Sequence, residues 1–108
     1  MSMSVETALQ WVDDLCSGEF VQVRKAFELE GRHCCLAVLD EQFDYDRDKT
    51  ARLDEERTLE QAGLTHSEAD RAALYFINLN DGEKASYEDI ADVILSGDWP
   101  GAPKEWAA

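Results

Sequence analysis

Positive charge is what this chain has least of for its size. Ten Lys and Arg stand against 24 Asp and Glu in 108 residues, a formal net charge of −14 with histidine neutral. A field of that sign repels nucleic acid and anionic membrane surfaces and attracts basic protein partners, so direct nucleic-acid or membrane binding is not expected. Proline is nearly absent, with only Pro100 and Pro103, which leaves almost all of the chain free to be regular. Cysteine is scarce and badly spaced for crosslinking. Cys16, Cys34 and Cys35 make an odd count with two neighbours adjacent, which is a poor disulfide framework and suits a reducing cytoplasm. No apolar run approaches the roughly 18–20 residues of a membrane span. The first residues carry neither a basic n-region nor an apolar h-region, so no secretory signal is expected.

The hydrophobic fraction is 44%, with three Trp, three Tyr and four Phe. That is enough apolar surface for one small core, so the acidity does not signal general disorder. We expect a single domain over residues 1–97 and an irregular Trp- and Pro-containing tail over residues 98–108 that docks through Trp99 and Trp106.

Hydrophobic periodicity gives the elements. Val5, Ala8, Leu9, Val12, Leu15 and Cys16 recur at helical spacing after a Ser4 cap, with Trp11 at the edge of the stripe and therefore partly exposed. Over residues 20–29 the period becomes two, with Val21, Val23, Phe27 and Leu29 on one face, which predicts a strand. Gly31 then turns the chain into a short second strand over residues 32–35. The run His33, Cys34, Cys35, Leu36, Ala37, Val38, Leu39 is ambiguous between strand and helix, and the spacing of Cys35, Val38 and Leu39 favours helix. Thr65 and Glu68 form a capping box before a helix carrying Ala69, Ala72, Ala73 and Phe76, which Asn80, Asp81 and Gly82 stop. Ser86 caps a last helix with Tyr87, Ile90, Ala91 and Ile94 inside, ended by Gly97. The predicted class is α+β, mainly helical, with a short antiparallel hairpin packed against three to four helices.

Residues 40–60 are the most polar stretch, with nine acids and four bases. Little apolar periodicity runs between Tyr45 and Arg57, so residues 44–58 read as an acidic loop. Asp40, Glu41, Asp44, Asp46, Asp48, Asp54, Glu55 and Glu56 are the candidate partner-binding residues.

Signatures of catalysis are missing. No nucleophile elbow, phosphate loop or dinucleotide fingerprint occurs, and no cofactor or enzyme activity is expected. Cys34 and Cys35 beside His33 are candidate reactive thiols, since a nearby base lowers a thiol pKa. Two small apolar residues filling a core explain them as well. Neither Cys-x-x-Cys nor His-x-x-x-His spacing is present, so no metal site is expected. Residues 78–89 miss the calcium-loop pattern by one position in either register. Residues 86–91 resemble the opening of a DNA-binding helix-turn-helix, but no recognition helix follows.

Two stretches together carry a resemblance. Arg32, His33, Cys34, Cys35, Leu36, Ala37, Val38 and Leu39 resemble the Phe-Cys-Cys-Leu-Gly-Val-Leu-Cys signature of a family of small phage and prophage proteins. Leu74, Asn80-Asp81, Gly82, Ser86-Tyr87, Ile90-Ala91 and Ile94 follow in the order of that family's late segment. Ala37 replaces the family's Gly, and Asp40 stands at its third Cys, which weakens any redox or metal role here. The resemblance implies a phage or prophage origin, and hence the cytoplasm of a host cell, with no established activity.

The expectation for function is a small acidic, non-catalytic protein-interaction module with a basic host protein as partner. Its narrower form is an inhibitor that occupies a nucleic-acid-binding surface by mimicking phosphates. A thiol-dependent site at His33, Cys34 and Cys35, or a homodimer built on an exposed Trp99 and Trp106 patch, are the alternatives.

Overall fold

The computed structural model describes residues 2–26, 28–43 and 54–106, residue 54 through its backbone only. Helix α1, Val5–Cys16, starts where the Ser4 hydroxyl accepts the Thr7 backbone N–H at 3.1 Å. Its inner face is Ala8, Trp11 and Leu15, rotated from the expected stripe. Trp11 is fully buried, whereas Leu9 is 44% exposed and Cys16 lies in solvent. The indole wins the inner position because it buries far more surface than leucine. Its N–H also finds the Cys35 carbonyl at 2.8 Å, so burial leaves no polar group unpaired.

The hairpin forms around the predicted turn. Strands β1, Glu28–Leu29, and β2, Arg32–His33, pair antiparallel with Glu28 opposite His33 and Leu29 opposite Arg32. Glu30 and Gly31 both take left-handed backbone, at φ 54° and 78°, as a two-residue type I′ loop requires. The long strand expected over residues 20–29 does not form. Gln22 makes an isolated parallel bridge to His33, and the chain bends at residues 24–26 with Lys25 at φ 64°. Val21 and Leu29 stay more than half exposed, so the alternating face has no sheet to bury it. Phe27 lies outside the described residues.

The ambiguous run resolves as helix. Helix α2, Cys35–Asp40, is buried at all six positions. It sits centrally, against α1, against α3 (Asp54–Gln61) and against α4 (His66–Ile77). Helix α3 is a correction to the acidic loop: the expected loop over residues 44–58 is helical from residue 54, and residues 44–53 lie outside the described residues. Thr58 and Leu59 are fully buried, and the Thr58 hydroxyl donates to the Asp40 carboxylate at 3.0 Å across the α2–α3 contact. Two buried residues among many acids are enough to dock one face of a two-turn helix.

Helix α4 begins at the predicted Thr65–Glu68 capping box, and the Thr65 N–H holds the Glu68 carboxyl below its usual range. It does not stop at Asn80, as the Asn-Asp-Gly sequence predicts, but widens into a π-turn, Asn78–Gly82. Helix α5, Tyr87–Ser96, runs from a second capping box at Ser86 and Asp89 to left-handed Gly97, and packs along α1.

The tail packs on the same core. Trp99 is 7% exposed and donates its indole N–H to the Ile94 carbonyl at 3.0 Å. With Trp11 and Phe76 it forms a mutually edge-on cluster, centroids 4.9–6.1 Å apart, a favoured aromatic geometry. The Met3 N–H donates to the Gly101 carbonyl at 2.9 Å, tying the segment before α1 to the turn after Trp99. Trp99 therefore cannot supply the exposed patch of the homodimer alternative. Among the described residues the fold is mainly helical with one antiparallel hairpin, the expected α+β class.

Candidate functional site

The π-turn organises the most unusual part of the molecule. A π-turn inserts an extra residue into a helix and so rotates side chains that an α-helix would aim elsewhere. Here it delivers Asn80, 1% exposed, into a four-bond junction. Its Oδ1 accepts from the Gln22 side chain at 2.8 Å and from the Cys35 N–H at 3.4 Å. Its Nδ2 donates to the Val23 carbonyl and to Asp81 Oδ1, each at 2.8 Å. The Lys25 N–H reaches the same Asp81 oxygen at 2.8 Å, and Arg24 donates to the Lys84 carbonyl at 2.9 Å. Lys25 and Lys84 both hold left-handed backbone, at φ 64° and 57°, a conformation that costs non-glycine residues energy and persists where surrounding contacts impose it. These bonds are what fixes the bent segment over residues 21–26 in place of a sheet.

Beside the junction is a cavity of about 250 Å³ whose walls include Lys25, Cys34, Leu36, Glu55, Phe76 and Asp81. Its floor is apolar, and two carboxylates and one ammonium bear on it. Burial pushes the Cys34 thiol up to about 12, and the charges of Glu55 and Asp81 add to the rise against backbone N–H groups that oppose it. The charged lining is thus two acids against one base. Cys35 is fully buried and raised well above the ordinary value, first by desolvation.

Those shifts correct the reading of Cys34 and Cys35 as reactive thiols. Both are free and buried, and both are held protonated where a nucleophile needs thiolate. His33 does not serve them as a base: its Nε2 points to carboxylates instead. The Tyr87 hydroxyl, its own pKa pushed up chiefly by burial, donates to the His33 carbonyl and pins that residue's backbone.

Among the described residues, the candidate acids are not all at the surface. Asp40 is 1% exposed and belongs to the α2–α3 contact, so it is withdrawn from the partner-binding set. Glu41 is exposed at the end of α2, and Glu55 and Glu56 are half-buried on α3. Asp44, Asp46 and Asp48, and the side chain of Asp54, lie outside the described residues. Exposed acids occur on every other helix and on the hairpin, including Glu6, Asp13, Glu30, Glu60, Asp70 and Asp92.

Sequence reasoning missed one cluster entirely. The hairpin register sets Glu28 opposite His33, and α2 returns the chain so that Glu41 reaches the same imidazole. His33 Nε2 lies 3.3 Å from Glu28 Oε2 and 3.1 Å from Glu41 Oε2. The spacings of five and eight residues match no ligand motif, and only the register of the turn at Glu30-Gly31 reveals them. Comparison of the chain with protein-family models, with curated proteins and with solved structures gave no match.

Proposed function

We propose that this protein is a small acidic, non-catalytic interaction module that docks on a basic surface of a partner protein. The observation that carries this reading is the cavity beside Asn80, where Glu55 and Asp81, against Lys25, line a space shared with Leu36 and Phe76. A lysine or arginine side chain suits such a site: its alkyl stem packs on Leu36 and Phe76 while its charge meets the two carboxylates. The net charge of −14 would speed the encounter. The narrower form, a phage-encoded inhibitor whose carboxylates stand in for phosphates on a host nucleic-acid-binding protein, draws on the acid run over residues 40–60 and on the resemblance of residues 32–39. The spread of exposed acids over the hairpin and helices favours the broader form.

Immobilised full-length protein exposed to a bacterial lysate tests the reading. The expected result is capture of a basic protein at roughly 0.05 M salt, release at roughly 0.5 M, where charge interactions are screened, and weaker capture by Glu55→Lys. Displacement by duplex DNA would support the narrower form. Capture indifferent to salt and to Glu55→Lys, or no capture, would refute the proposal.

A further inference from the structure

The geometry points to a divalent-metal site of the zinc-binding class formed by Glu28, His33 and Glu41, independent of the partner reading above. The three ligand atoms, one imidazole nitrogen and two carboxylate oxygens, lie within 4.8 Å of one another. Zinc bonds to such donors at about 2.0–2.2 Å in a tetrahedron, which sets ligand atoms about 3.3–3.5 Å apart. The observed 3.3 Å and 3.1 Å from Nε2 are close to that edge length. Both carboxylate oxygens approach the same imidazole nitrogen at nearly equal distance.

The fold also holds the ligands before the ion arrives. The His33 backbone is tied to Val21 and Val23 at 2.8 and 3.1 Å, and its ring packs edge-on against Phe20. The imidazole is almost wholly buried, while the Glu28 and Glu41 side chains are 37% and 35% exposed, so an ion enters from the carboxylate side. A nitrogen with two oxygens favours Zn²⁺ or a similar transition ion over Ca²⁺ or Mg²⁺, which take oxygen alone. Three protein ligands leave a fourth position for water or for a side chain of a partner. His33 Nδ1, which carries the proton when Nε2 binds metal, is buried and has no hydrogen-bond partner among the described residues.

Titration calorimetry with Zn²⁺ alone tests the proposal, on full-length protein carrying Cys16→Ser to remove the exposed thiol. The expected result is one ion per chain, a melting temperature that rises with Zn²⁺ concentration, and Co²⁺ bands in the visible spectrum. Affinity should fall about tenfold or more in E28Q and in E41Q. These solvent-facing replacements keep the fold, as circular dichroism checks, whereas H33N removes the central ligand. H66Q should bind as before. No binding, affinity unchanged in both E28Q and E41Q, or loss of binding in H66Q alone would each overturn the assignment.

Discussion

Replacing Asn80 by alanine removes four hydrogen bonds at once, but the losses are unequal. The Gln22 amide keeps a second partner, the Ala85 carbonyl at 2.8 Å, and Asp81 Oδ1 keeps the Lys25 N–H. The Cys35 N–H, at the buried start of α2, and the Val23 carbonyl lose the bonds that Asn80 makes to them. A buried polar group left unsatisfied costs about 1–3 kcal/mol, and the Cys35 bond is long, so the expected total is about 3 kcal/mol. For a domain near 100 residues that corresponds to a fall in melting temperature of about 10–20 °C. Urea and thermal unfolding followed by circular dichroism measure it. Asn80→Asp is the control that keeps the accepting oxygen and loses the donor. The introduced carboxyl faces the Val23 carbonyl and Asp81, so its folded pKa lies above its unfolded one. Its stabilising protonated form is fully populated below the unfolded value and is lost as pH rises through the folded one. The deficit against wild type is therefore greater near pH 7 than near pH 4.5. An Asn80→Ala protein within about 0.5 kcal/mol of wild type would refute the argument that this residue organises the bend.

Further outcomes follow from other contacts. Trp11→Phe leaves the buried Cys35 carbonyl without the indole N–H and opens space beside Phe76 and Trp99, and should cost about 2–4 kcal/mol by chemical unfolding. Iodoacetamide followed by mass spectrometry should modify Cys16 alone in the native protein, and all three cysteines in denaturant. Proton NMR should show His66 titrating above its ordinary value of 6.5, raised by its hydrogen bond to and then the charge of Glu60. Glu60→Gln should bring it back. The sign of the linked stability follows: the contribution is complete below the unfolded value and disappears as pH rises through the folded one.

The sequence showed what is local. Ser4, Thr65 and Ser86 are read directly because capping is chemistry within one helical turn. Glu30-Gly31 is read because left-handed backbone selects its residues. Trp11 was misplaced because periodicity gives a direction, and a 24-residue jump to the Cys35 carbonyl decides whether an indole can be buried. Helix α3 was hidden for a similar reason, since Thr58 looks like a loop residue until the Asp40 carboxylate lies against it. Asn80 reads as a helix stop in any local scheme, and three tertiary partners, Gln22, Val23 and Cys35, turn it into a junction. The Glu28, His33 and Glu41 cluster was invisible because its members share neither a motif nor an element.

The bond between Met3 and Gly101 and the Trp11–Trp99 contact bear on how the chain is made. Helix α1 precedes α2, α3 and α4, yet its partners α5 and Trp99 follow them. During translation the nascent chain must therefore display Trp11 and Leu15 without their native cover. Native cover for α1 is complete only once α5 and Trp99 are both in place. A truncation before Trp99 would keep α5 against that first helix but uncover the edge of Trp11 that Trp99 closes, exposing apolar surface of the kind chaperones bind.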